Sequence, residues 1–130
     1  VYHADTVVAS SRAAYRVLET ASPPSFYIPP QDVRMDLLLP KPGFSTCEWK
    51  GRATYWVLGS DPKIGKVGWS YGDPRPGFRA VRNYLSFYPT VLSCFVDGER
   101  VRGQSGGYYG GWITGDIVGP FKGDRGTGHW

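Results

Sequence analysis

Glycine and proline punctuate this chain so densely that long regular helices have no room. Eighteen Gly and 11 Pro fall among 130 residues. Proline lacks a backbone donor and fixes φ, and glycine weakens a helix interior through its entropy cost. Short strands joined by turns are what such a chain can form. Its 20 aromatic residues, nine Tyr, six Phe and five Trp, agree with this, because aromatic side chains fit a pleated, half-buried surface. The length is that of one domain, which buries about two-thirds of its unfolded surface and needs no metal or disulfide to fold.

The chain carries a formal net charge of +4. Lys and Arg are scattered, and the densest stretch, from Arg75 to Arg82, contains only Arg75, Arg79 and Arg82. A solvated basic surface is expected rather than the basic stripe of a dedicated nucleic-acid binder. Two cysteines, Cys47 and Cys94, provide neither a disulfide framework nor a ligand cluster. They are read as reduced thiols in a cytosol-like compartment, so a cytoplasmic location is expected. The first residue is Val1, and organellar targeting stays open. No apolar run has the length that spans a bilayer, so no membrane partner is expected.

Turn signals divide the chain into short elements. Val7–Ala9 and Tyr15–Thr20 read as strands, the second ended by Ser22-Pro23-Pro24. Ser25–Ile28 is a further strand, stopped by Pro29-Pro30. A helical turn is expected from Pro30, with Asp32 as a cap, ending before Pro40 and Pro42. Cys47 to Leu58 is the best strand, and the small residues Gly51 and Ala53 on one face leave room for a neighbour or ligand. Val67–Tyr71 and Val91–Val96 are further strands. The spacing of Phe78, Val81 and Leu85 predicts one short helix. Asp97-Gly98 predicts a two-residue hairpin turn, and Trp112–Thr114 a last strand. The tail from Lys122 is expected to be mobile.

Several residues have chemistry worth weighing. Lys50, beside Trp49 and Gly51, would meet a carboxylate or phosphate as a point charge; the plainer alternative is a salt bridge to Glu48 or Glu19. Cys47 lies three residues from Lys50, whose ammonium would favour the thiolate. His3 and His129, at the two ends of the sequence, offer it no base, and a packed thiol is expected. Tyr27, Tyr55, Trp69, Tyr71 and Tyr88 lie on or beside predicted strands, where aromatics usually form core; converging, they would make a box for a flat ligand. Glu19 and Asp32 supply acids. The two Cys and two terminal His make no plausible metal set, and no cofactor is expected.

Taken in order, several stretches resemble the family of domain of unknown function 427. They are Ser22-Pro23-Pro24 through Pro30-Gln31-Asp32-Val33, Cys47-Glu48-Trp49-Lys50-Gly51-Arg52-Ala53-Thr54-Tyr55, and Gly68-Trp69-Ser70-Tyr71 with Pro74. Leu85-Ser86-Phe87-Tyr88 and Val96-Asp97-Gly98-Glu99 complete the set, and the ordered set is more specific than any member. Cys-Glu-Trp-Lys-Gly stands where the family often has Cys-Pro-Tyr-Lys-Gly; with the segment from Trp112 to Gly123, this resembles a branch from cyanobacteria and plastid-bearing organisms. The resemblance implies a mainly β fold of small antiparallel sheets in a β-tent-like arrangement, similar to methionine sulfoxide reductases of the B type. It implies a core at 1–102, followed by a Gly/Tyr-rich extension, 103–130, packing on the same domain. The family is sometimes filed under a nucleotidyltransferase-style name. Gly65-Lys66 lacks the spacing of a phosphate loop, and no paired carboxylates suit such a reaction except Asp97 and Glu99 on a hairpin turn.

Three functions compete. The mixed chemistry of cation, acid, thiol and phenols favours binding of a small anionic or aromatic ligand in an aromatic-lined pocket built on Glu19, Tyr27, Asp32, Cys47, Lys50, Tyr55, Trp69, Tyr71 and Tyr88. Whether a reaction follows is not encoded in any recognisable catalytic set. A single-stranded nucleic-acid binder would use exposed aromatics with Arg52, Arg79, Arg82 and Arg102. A protein-interaction module would dock a partner on Ser105 to Trp112, and deletion of 103–130 would then spare the fold.

Overall fold

The computed structural model describes residues 1–19, 22–47, 51–104 and 110–115, with the backbone alone described at 19, 22 and 43–47. A small hairpin of β1 (Tyr2–His3) and β2 (Thr6–Val7) leads into β3 (Tyr15–Glu19), which pairs antiparallel with β4 (Ser22–Tyr27). Two 3₁₀ turns, Pro30–Asp32 and Met35–Leu37, then deliver the chain to the main sheet. That sheet is an open antiparallel meander of β5 (Leu38–Cys47), β6 (Gly51–Leu58), β7 (Gly68–Pro74) and β8 (Leu85–Phe87). Two short ribbons follow, β9 (Phe95–Val96) with β10 (Glu99–Arg100) and β11 (Arg102–Gly103) with β12 (Trp112–Ile113). The fold is mainly β, made of small antiparallel sheets, as expected.

Local chemistry explains where the expected boundaries moved. Pro23 and Pro24 lie inside β4, and Pro40 and Pro42 inside β5, instead of ending those segments. Proline is tolerated in edge strands and bulges because its missing donor need not face a neighbour. β3–β4 is a two-stranded ribbon and β5 is an edge of the main sheet. The pairing register shifts between Val17 and Glu19 and between Pro40 and Phe44. The long strand expected from Cys47 to Leu58 is in fact two, since Cys47 at the end of β5 pairs with Gly51 at the start of β6. The short helical segment is a pair of 3₁₀ turns over Pro76–Val81, broken at Phe78, while Leu85 opens β8. The tight turn at Asp97-Gly98 is present: both residues have positive φ, 49° and 83°, and Val96 pairs with Glu99.

The main sheet separates two packed layers. On one side lies an aliphatic core that includes Val8, Ile28, Leu38, Leu58, Leu85, Phe87 and Cys94. Trp112 of β12 belongs to it, stacking on Phe26 at 4.9 Å and donating its indole N–H to the Phe87 carbonyl at 2.9 Å. Burial of such side chains contributes about 1.5–3 kcal/mol each. The other side is aromatic.

Candidate functional site

The aromatic layer follows from strand periodicity. Alternate side chains point to opposite faces, so Ala53 and Tyr55 of β6 share a face that Thr54 and Trp56 do not. The register sets Ala53 opposite Tyr71 and Tyr55 opposite Trp69 of β7. Trp69 in turn faces Ser86 of β8. The Ile28–Leu85 bridge draws the end of β4 alongside β8, and Tyr27 lands on the same layer. Tyr27, Ala53, Trp69, Tyr71, Val81 and Tyr88 thus form one buried cluster, flanked by Val17, Tyr55, Phe78 and Tyr84. Its rings meet at angles: Trp69 lies edge-on to Tyr27 at 6.2 Å and tilted to Tyr88 at 4.8 Å. Tyr71 is tilted against Tyr27 at 6.4 Å. Such geometries bring edge hydrogens to ring faces and are worth about 0.5–1.5 kcal/mol per pair beyond burial.

Polar groups are set into this layer. The Trp69 indole N–H donates to the Tyr27 hydroxyl at 3.2 Å. The Ser86 hydroxyl is fully buried and has no hydrogen-bond partner among the described residues. A buried polar group without a partner costs about 1–3 kcal/mol. At the rim, the Lys66 ammonium stands 4.3 Å from the centroid of the half-buried Tyr55 ring and 5.6 Å from that of Tyr88. A cation over a ring face gains about 0.5–2 kcal/mol, more as water is excluded. Gly110 lies against the Trp69 ring so closely that any side chain there would collide with it.

The five aromatics weighed as core or as a ligand box lie together, Tyr27, Trp69, Tyr71 and Tyr88 as buried core and Tyr55 on its flank. Asp32 closes a 3₁₀ turn, where it caps nothing and instead accepts the Ser11 hydroxyl at 2.7 Å. Glu19 and Cys47 are placed only by their backbones, opposite Ser22 and Gly51, and Lys50 lies outside the described residues. Lys66 and Ser86 escaped the sequence reading. In the sequence, Lys66 stands out only in Gly65-Lys66, which lacks the spacing of a phosphate loop. Ser86 sits between two core residues, and only the strand register reveals which layer it joins.

A family model described as a domain of unknown function (DUF427) matches residues 1–102. The chain belongs to that family. No curated protein matches it. The DUF427 match contains every described ring of the aromatic cluster, whereas Gly110 and Trp112 lie past it. Among the described residues of this DUF427 domain, no group of three or more His, Cys, Asp or Glu is placed to hold a metal. No helix among them is long and apolar enough to cross a membrane. Cys94 is buried against the aliphatic core, and burial pushes its thiol up to about 12. It is a packing residue.

Proposed function

We propose that this DUF427 domain binds a small, flat ligand carrying an acidic or other polar group, at the aromatic layer between the main sheet and the β3–β4 ribbon. The observation that carries the reading is the Ser86 hydroxyl, enclosed with the rings and left without a partner. A packed core would put alanine there at no cost in volume. A hydroxyl kept at a penalty supports a partner that arrives with a ligand. The half-buried Tyr55, on the flank of the buried rings, would supply an apolar surface for a flat molecule. Lys66, at the rim over Tyr55 and Tyr88, supplies a cation that would meet an acidic group as it approaches.

The reading assigns Tyr55 and Tyr88 to contact, Trp69 and Tyr27 to the wall, Ser86 to a buried hydrogen bond and Lys66 to charge. It assigns no turnover. A thermal-melting screen of aromatic carboxylates and free nucleobases tests it. A ligand held in the native state raises the melting temperature by mass action, and the rise should shrink for acidic compounds in Lys66→Ala. Equal shifts in wild type and variant would remove Lys66 from the site.

A further inference from the structure

A hollow of about 570 Å³ opens where β6 begins and β7 ends, lined by Gly51, Arg52, Asp73, Pro74, Arg75, Pro76 and Arg79. Among the described residues, Arg52, Arg75 and Arg79 line it together with one acidic residue, Asp73. We propose that this hollow is an anion site that takes a phosphate-bearing small molecule on Arg52, Arg75 and Arg79. It is separate from the aromatic site and does not depend on it.

Guanidinium presents N–H donors in a planar fork that matches two oxygens of a phosphate, and it keeps its charge at any physiological pH. The floor beneath is stiff backbone. Gly51 has φ of +116°, a conformation that side chains rarely adopt. A Cβ there would stand 3.0 Å from the Asp73 carbonyl oxygen and 3.3 Å from the Pro74 Cα. Pro74 and Pro76 fix φ on either side of Arg75. Arg82 ties the end of the 3₁₀ segment to β7 by donating its Nε–H to the Gly72 carbonyl at 3.1 Å. A preformed wall lowers the ordering cost of binding.

A hollow of about 570 Å³ has the size of a small-molecule site rather than of a nucleic-acid track. A single strand needs a track of stacking rings beside its cations. The rings of Tyr71 and Phe78, on the neighbouring elements, are instead turned into the aromatic cluster.

Calorimetric titration of the full chain with pyrophosphate at low ionic strength tests the proposal, with circular dichroism of each variant confirming the fold. Saturable binding is expected, weakened at least tenfold in Arg75→Ala/Arg79→Ala and weakened less in the double lysine variant, which keeps the charge and loses the fork. Lys63→Ala, which removes an exposed charge outside the hollow, should leave the affinity unchanged. No saturable binding to wild type would overturn the proposal, as would equal binding by the double alanine variant or equal weakening by Lys63→Ala. A single-stranded oligonucleotide that binds through the same arginines and resists displacement by pyrophosphate would also overturn it, in favour of a nucleic-acid groove.

Discussion

At Ser86 a hydroxyl is held away from water with no partner among the described residues. Ser86→Ala should therefore raise the stability of the unliganded protein by about 1 kcal/mol, measured by urea unfolding, since deletion relieves an unmet donor and acceptor. The same change should weaken any ligand at the aromatic layer; a gain in stability coupled to a loss of binding is the expected signature of a site rather than of core. Cys94 behaves oppositely. Its thiol is raised from 9.0 to about 12 by burial, so the folded state holds the proton more tightly than the unfolded one. Its contribution is complete below about 9 and is lost as pH rises toward about 12. Cys94→Ala should flatten the decline in stability over that window, and native Cys94 should resist alkylation at pH 8 until the chain unfolds.

Among the elements, Trp112 on β12 lies ten residues past the end of the DUF427 match yet fills the aliphatic core. Trp112→Ala should cost about 3–5 kcal/mol, as large aromatic deletions from a core do. Removal of residues 103–130 should likewise destabilise the fold, against the expectation that this deletion would spare it. Thermal melts of the two variants against wild type check both statements. Much of the strand plan was legible in residue patterns. The alternation of Tyr15 with Val17 and of Ala53 with Tyr55 marks their common layers, and Asp97-Gly98 marks its turn. Prolines misled because their meaning depends on whether a strand is central or at an edge, and that is settled by pairing partners far along the chain. The break between Cys47 and Gly51 was hidden for the same reason, since Gly51 reads as a small residue within a strand until its +116° φ is seen.

For the whole molecule, one sheet divides an aliphatic layer that stabilises the fold from an aromatic layer that carries polar groups. Convergence of Tyr27, Trp69, Tyr71 and Tyr88 could be expected from strand placement, but the companions of those rings could not. Lys66 reaches Tyr55 through the path of a loop, and Ser86 joins them through the register of β7 with β8. The two layers also contain indoles that report on them separately. The Trp69 N–H meets Tyr27 in the aromatic layer, whereas the Trp56 N–H donates to the Ser70 hydroxyl at 2.9 Å and the Trp112 N–H to the Phe87 carbonyl, both on the opposite side. Indole ¹H–¹⁵N resonances, assigned by single Trp→Phe variants, can therefore be followed while aromatic carboxylates and nucleobases are titrated. The Trp69 signal should shift saturably with at least one compound while those of Trp56 and Trp112 stay in place. A Trp69 signal unmoved by the whole panel, or moving only together with the other two, would contradict a ligand site in the aromatic layer.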